Sequence, residues 1–246
     1  MEELVQPHER LDDLELEGLR IIQNPAAFRF GMDAVLLADF ATVRLRETVI
    51  DMGTGTGILP VLLSWRHKTA MFHAFEIQPD MADMAARTMR VNALEERVRV
   101  YAADMREARQ ILGREVADVV VCNPPYGKQG SAMPSEAHAL LLARHETDMG
   151  IEDVVAACAE VLKNHGRLSM VFPAPRMLEL CDALRKKRLE PKRVRLVYGK
   201  ASKAPYLVLM EAMKNARPEL KWLPPLIVYN EDGSETEELR RIYHRA

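Results

Sequence analysis

Cysteine is scarce in this chain, and its spacing excludes as much as its number does. The 246 residues hold three, Cys122, Cys158 and Cys181, an odd set scattered through apolar sequence. No Cys-x-x-Cys pair occurs, and the seven histidines form no His-Glu-x-x-His run. Neither a disulfide framework nor a metal site is therefore expected, and reduced thiols point to the cytoplasm. Long apolar runs are missing as well: nothing approaches the roughly 20 consecutive apolar residues of a membrane span. The opening MEELVQPHERLDDLELEG is acidic and lacks the apolar segment of a secretory signal. There is no Gly-Lys-Ser/Thr, which removes the phosphate-cradling P-loop. No internal repeat and no long low-complexity tract occurs. What remains, 48% hydrophobic and 28% charged residues, is enough for a substantial core in one large domain or two small ones.

The net charge of −2 conceals an asymmetry. Residues 1–20 carry seven acidic and two basic side chains, whereas residues 185–203, RKKRLEPKRVRLVYGKASK, carry nine basic and one acidic. Such a run is either a solvated helix face with its following loop or a surface for a polyanion.

From residue 48 onward, strand-like and helical patterns alternate. TVIDMG, AMFHAFEI, RVRVYAAD, ADVVVCNPP, GRLSMVFP, KRVRLVYG and PYLVLMEAM read as strands. ILPVLLSWRH, PDMADMAARTMRVNAL, DMREARQILGR, IEDVVAACAEVLKNHG and PRMLELCDALRKKRL read as helices, preceded by a helix at 34–43. This order implies an α/β fold: a seven-stranded, mostly parallel sheet with helices on both faces and right-handed crossovers. The last two strands leave no room for a helix between them and are expected to pair as an antiparallel hairpin. The tail with PPLIVYNEDGSETEE reads as a short extended segment and a turn.

Chemistry concentrates at the strand ends. In VIDMGTGTGILPVLL a strand ends at Asp51, and Gly53, Gly55 and Gly57 lead into a helix. Glycines there permit close approach of a ligand and leave the first helical N–H groups facing it. A dinucleotide fingerprint starting at Gly53 requires glycine at 58, where this chain has Ile58. Asp-x-Gly-x-Gly-x-Gly instead resembles the pattern of S-adenosylmethionine-dependent methyltransferases. Glu76 ends the second strand, where a carboxylate accepts the hydroxyls of a ribose; the alternative is an exposed acid preceding a helix. Asp104 ends the third, placed either to accept from an adenine amino group or to N-cap helix 105–112.

The fourth strand ends in VVVCNPPYGKQG, residues 119–130. Asn123 offers a side-chain carbonyl and Pro124 a backbone carbonyl, and the prolines at 124 and 125 fix both acceptors. Two acceptors at fixed separation match the two hydrogens of a planar –NH₂ group, and Tyr126 offers a face for stacking. An isolated Asn-Pro-Pro is equally a turn. Behind Asp51, Glu76 and Asp104 it reads as the acceptor half of an amino-methylating site.

Beyond these motifs, FRFGMDAVLLADF (28–40), FEIQ, LEPKRVRLVY and the tail resemble the bacterial tRNA1(Val) (adenine(37)-N6)-methyltransferase family over nearly the whole chain. The resemblance implies a Rossmann-like class I methyltransferase, one domain over 1–246, with an N-terminal extension (1–27), a catalytic core (28–216) and a tail (217–246). It implies S-adenosyl-L-methionine as cofactor and methylation of the exocyclic N6 of an adenosine in the tRNA anticodon stem-loop. Asn123, Pro124, Pro125 and Tyr126 would be catalytic. Arg29, Gly31, Asp33, Asp51, Gly53, Thr54, Gly55, Gly57, Glu76, Ile77, Gln78, Asp104, Met105 and Asn123 would hold the cofactor, although Asp33 also fits as the N-cap of helix 34–43. Lys128, Arg185, Lys186, Lys187, Arg188, Lys192, Arg193, Lys200 and Lys203 would meet phosphates, giving position and salt dependence rather than sequence choice.

Four rivals differ in features legible here. Glutamine N5-methylation of release factors uses the same Asn-Pro-Pro-Tyr, but that family carries a long helical N-terminal domain, and only 27 residues precede FRFG. A DNA adenine N6-methylase carries a target-recognition insertion, and none is visible. A binding module that has lost its chemistry would be expected to have lost motif residues, and all are present. A nicotinamide oxidoreductase fails on the glycine spacing.

Overall fold

The computed structural model describes residues 2–26, 30–124 and 149–244. Its sheet explains why several strands are apolar almost throughout. In β3 (Thr48–Met52) and β6 (Ala117–Cys122) the pleat sends successive side chains to opposite faces. Val49, Val119 and Val121 enter one core cluster, while Ile50, Met52, Val120 and Cys122 enter the other. A strand covered on both sides needs apolar residues at every position, as buried parallel sheets do.

The remaining strands are β4 (Met71–Glu76), β5 (Val98–Ala102), β7 (Leu162–Pro173), β8 (Leu189–Tyr198), β9 (Pro205–Lys214), β10 (Lys221–Trp222) and β11 (Leu226–Ile227). The order across the sheet is β10-β8-β9-β7-β6-β3-β4-β5, with β11 also on β8. β5, β4, β3, β6 and β7 run parallel, and β9 is antiparallel to both β7 and β8. The expected seven strands and terminal antiparallel pair are all present. From β3 the chain builds outward through β4 and β5, then crosses back to β6 and β7. The junction of β3 and β6 is thus a topological switch point, where the carboxyl ends of the strands leave a crevice.

One face carries α1 (Met32–Phe40), α2 (Ile58–Arg66), α3 (Pro79–Val91) and α7 (Glu237–Ile242). The other carries α4 (Ala108–Leu112), α5 (Ile151–Val161) and α6 (Met177–Lys186). Three helix boundaries depart from expectation for tertiary reasons. The helix expected over 151–166 stops at Val161, because Leu162 pairs with Ala117 and starts β7 early. The helix expected over 105–112 begins as a 3₁₀ turn, Met105–Glu107, with α4 following at Ala108. The helix expected over 34–43 runs from Met32 to Phe40, with Gly31 rather than Asp33 as N-cap.

Residues ahead of α1 form a hairpin that the sequence reading did not anticipate, β1 (Arg10–Asp13) against β2 (Arg20–Gln23). It is fastened to α3: Arg87 makes a paired contact with Glu9 at 2.6 and 2.7 Å, and the Ile22 N–H donates to Thr88 Oγ1 at 3.2 Å. Much of the N-terminal acidity is used in such contacts. The tail forms β10 and β11 on the outer edge of β8, then a turn, and then α7, capped by Thr236, which accepts from the Leu239 N–H. Among the described residues no helix is long and apolar enough to cross a membrane.

Candidate active site

The glycine loop after β3 is tied to the end of the neighbouring strand. The N–H groups of Gly53 and Thr54 both donate to the Phe75 carbonyl at 2.9 Å. Gly53, Gly55 and Gly57 have φ of 79°, 57° and 88°, the left-handed region that favours glycine. At Gly57 the constraint is doubled, since a Cβ there would lie 2.6 Å from Met89 Cε on α3. α2 starts directly after Gly57 with no side-chain cap, so its first N–H groups stand available at the crevice.

Under this loop sits a set of buried polar atoms without partners. Asp51 is 1% exposed, and among the described residues neither of its carboxylate oxygens has a hydrogen-bond partner. The hydroxyls of Thr54 and Thr56 share that condition. Burial pushes the Asp51 carboxyl up to about 7; the neighbouring Thr54 hydroxyl, although it does not complete a hydrogen bond of good geometry, opposes the rise, and the charge of Glu76 adds to it. Orphaned polar groups at this depth are costly. Their presence beside a glycine cradle fits a polar ligand that completes them.

Glu76, at the end of β4, is nearly buried, and burial raises its pKa. Its Oε2 accepts from the Gly55 N–H and its Oε1 from the Gln78 N–H, both at 2.9 Å. Each oxygen keeps acceptor capacity for a ligand hydroxyl. The next residue, Ile77, is 45% exposed although apolar, and puts an apolar surface on the crevice rim. Asp104 accepts from the Arg106 N–H at 2.8 Å and pairs with the Arg106 guanidinium, which lowers its pKa. Its side chain thus caps the turn that begins at Met105.

Strand register brings the other half of the site alongside. Met52 pairs with Phe75 and with Cys122, and Phe75 pairs with Tyr101. One residue further along each strand come Gly53, Glu76, Ala102 and Asn123, in one row at the carboxyl edge. Pro124 follows Asn123 and is buried. Gly31 and Asp33 sit at the start of α1, where Met32 Sδ lies 3.9 Å from the Tyr206 hydroxyl at the start of β9. Arg29, Pro125, Tyr126 and Lys128 lie outside the described residues.

The basic run does not form one surface. Since β8 is antiparallel to β9 and so runs with β7, Arg185, Lys186, Lys187 and Arg188 lie at the amino edge of the sheet, opposite the crevice. Arg185 pairs with Glu190 and Lys186 with Glu152. Lys192 donates to the Arg217 carbonyl, and Arg193 is drawn inward to Glu211. Only Lys200 and Lys203, in the loop joining β8 to β9, share the carboxyl edge with Asn123. Sequence reasoning missed Glu211, whose signal was a lone acid inside the apolar strand PYLVLMEAM.

A mostly parallel sheet with β9 inserted antiparallel between β7 and β8, and a glycine loop after β3 at the switch point, is the class I methyltransferase fold. The chain belongs to the methyltransferase small domain family, whose model matches residues 29–187. Its relatives include proteins named tRNA1(Val) (adenine(37)-N6)-methyltransferase, as the resemblance read from the sequence implied. That of Tolumonas auensis is 30% identical over 199 residues, 77% of this chain and 78% of the relative. That of Haemophilus influenzae strain KW20 is 29% identical over 220 residues, 88% of this chain and 90% of the relative. Among solved structures, a predicted O-methyltransferase of Agrobacterium tumefaciens superposes with a TM-score of 0.71 at 24% identity, covering 87% of this chain and 97% of that one. This last likeness shows the fold alone.

Proposed function

We propose that this chain is a tRNA adenosine N6-methyltransferase acting at position 37, beside the anticodon, in the cytoplasm. The observation that carries the reading is the row formed by Gly53, Glu76 and Asn123 across the switch point, which sets an amide acceptor beside a glycine cradle. Relatives of the same name along most of the chain favour adenine in tRNA over glutamine as the owner of the amino group.

S-adenosyl-L-methionine supplies the electrophilic methyl group. The residues fit it: Gly53, Gly55 and Gly57 allow close approach, Glu76 keeps acceptor capacity for ribose hydroxyls, and Ile77 offers an apolar surface to a base. Gly31 and Asp33 at the head of α1 complete the pocket, with Arg29 ahead of them. Asp104, Met105 and Gln78 shape its rim. Asn123 Oδ1 and the Pro124 carbonyl would each accept a hydrogen bond from the substrate amine, leaving its lone pair to form the N–C bond. The S–C bond that breaks would leave its electron pair on sulfur as the thioether S-adenosylhomocysteine. Pro125 stiffens that backbone, and Tyr126 stacks on the base. Orientation and electrostatics carry the rate, with no general base assigned, and the proton leaves to water after transfer. The anticodon-loop base is splayed into the crevice, which a single-stranded loop permits at low cost. Lys200 and Lys203, with Lys128, meet the phosphates.

The test is methyl transfer from labelled S-adenosylmethionine to unmodified tRNA, followed by nucleoside analysis. N6-methyladenosine at position 37 is expected. Asn123→Ala should still bind cofactor while turnover falls on the order of 10²–10³-fold, the usual cost of losing one preorganised polar contact to the transition state. Label found only in DNA, or only in protein, sinks the reading.

A further inference from the structure

The Arg193 side chain is partly buried, and its guanidinium is engaged with the protein. Its Nε donates to Glu211 Oε1 at 2.9 Å, and its Nη2 reaches Glu211 Oε2 at 3.0 Å, the Phe40 carbonyl at 2.9 Å and Thr42 Oγ1 at 2.9 Å. It also lies 4.7 Å from the centre of the Phe40 ring. Beside it, Arg167 reaches the Thr42 carbonyl at 3.3 Å and Glu47 Oε2 at 2.6 Å. Two ion pairs thus bracket the C-terminal end of α1: Arg193 reaches the carbonyl of its last residue, Phe40, and both arginines reach Thr42, two residues beyond. Glu211 and Arg167 are each 5% exposed.

A helix leaves its final carbonyls unsatisfied, and positive charge at that end is favourable. Yet a buried ion pair rarely stabilises a fold more than apolar side chains of the same volume would. Its distinctive contribution is directional. Apolar packing of Val35, Leu36 and Leu37 holds α1 against the sheet but is less directional than a hydrogen bond. Hydrogen bonds to Phe40 and Thr42 fix its position along the axis. The nine residues of α1 span roughly 13 Å, from Met32 at the crevice, on the carboxyl edge of the sheet, to Phe40, toward the amino edge where Glu47 precedes β3. At the crevice end stand Gly31 and Asp33.

We propose that Arg193 and Glu211, together with Arg167 and Glu47, are positioning residues that set the axial position of α1 and so the placing of Gly31 and Asp33 in the cofactor pocket. This rests on the S-adenosylmethionine reading above and takes Arg193 out of the phosphate-binding set.

The test is the paired substitution Arg193→Met with Glu211→Leu, which removes both charges and strands neither. Its urea midpoint should match or exceed that of the parent. Its KM for S-adenosylmethionine should rise about tenfold with kcat at saturation nearly unchanged, the signature of a misplaced binding element. Its tRNA affinity and the salt dependence of that affinity should not move. An unchanged KM in the folded variant overturns the proposal, as does a salt slope reduced by about one, which would make Arg193 a phosphate contact. Should the pair not fold, Arg193→Lys is read by hydrogen exchange. Faster exchange at the hydrogen-bonded N–H groups of the later turns of α1 and of Ala41, with β6 unaffected, supports the proposal, and unchanged exchange there overturns it. A parent protein that binds no S-adenosylmethionine fails the cofactor reading instead.

Discussion

Asp51 shows how one buried carboxyl links the pocket to the stability of the molecule. Its folded-state pKa of about 7 stands above the ordinary 3.8, because burial disfavours the charged form. The folded protein therefore holds a proton that the unfolded chain has already released between about pH 4 and pH 7. Over that window stability falls as pH rises, by an amount on the order of a few kcal/mol, and it is retained in full below it. Asp51→Asn removes this titration while keeping the shape. Urea midpoints of the ligand-free proteins at pH 4.5 and pH 8 should differ much less for the variant than for the parent. Equal differences in the two proteins would place the pH dependence elsewhere. Glu76 shifts in the same direction by burial and is present in both proteins, so the pH dependence that remains in the variant reports Glu76 freed of its interaction with Asp51.

Between β3 and α2 the decisive feature is a connection rather than a side chain. Gly57 combines a left-handed backbone with a wall made by Ala85 and Met89 of α3. Gly57→Ala places a methyl group against both constraints. It should lower stability by about 1–3 kcal/mol, the usual cost of a non-glycine residue forced into that region, as read from the urea midpoint. Cofactor affinity should fall with it, because the loop that carries Thr54 and Thr56 must shift. A variant of unchanged stability would mean that the loop adapts by another path. The same element explains why α2 lacks a side-chain cap: its N-terminal donors are left for a ligand rather than satisfied from within.

For the whole molecule, the direction of β8 divides the positive charge between two edges of the sheet. Lys200 and Lys203 share the crevice edge, whereas Arg185, Lys186, Lys187 and Arg188 face the other way. Lys200→Ala with Lys203→Ala should weaken tRNA binding and reduce its salt slope by roughly one to two. Neutralising Lys187 and Arg188 should change neither. The reverse result would move the RNA path to the amino edge.

What the sequence by itself determined was everything local in origin. Alternating apolar runs defined seven strands, because burial on both faces demands apolar residues at successive positions. Asp51, the three glycines, Glu76 and Asn123 were legible as a candidate site, because each sits where a strand stops and its residue type departs from its surroundings. Tertiary structure decided the rest. Pairing of Leu162 with Ala117 shortened α5, and docking on α3 made a hairpin of an acidic segment with little strand character. The cap formed by Asp104, one of its two readings from sequence, is by contrast local, since its partner Arg106 lies two residues on. The basic run looked like one surface because sequence keeps charges adjacent. Strand direction then carried them to opposite edges, and Glu211, 18 residues further on, engaged Arg193 in a partly buried ion pair.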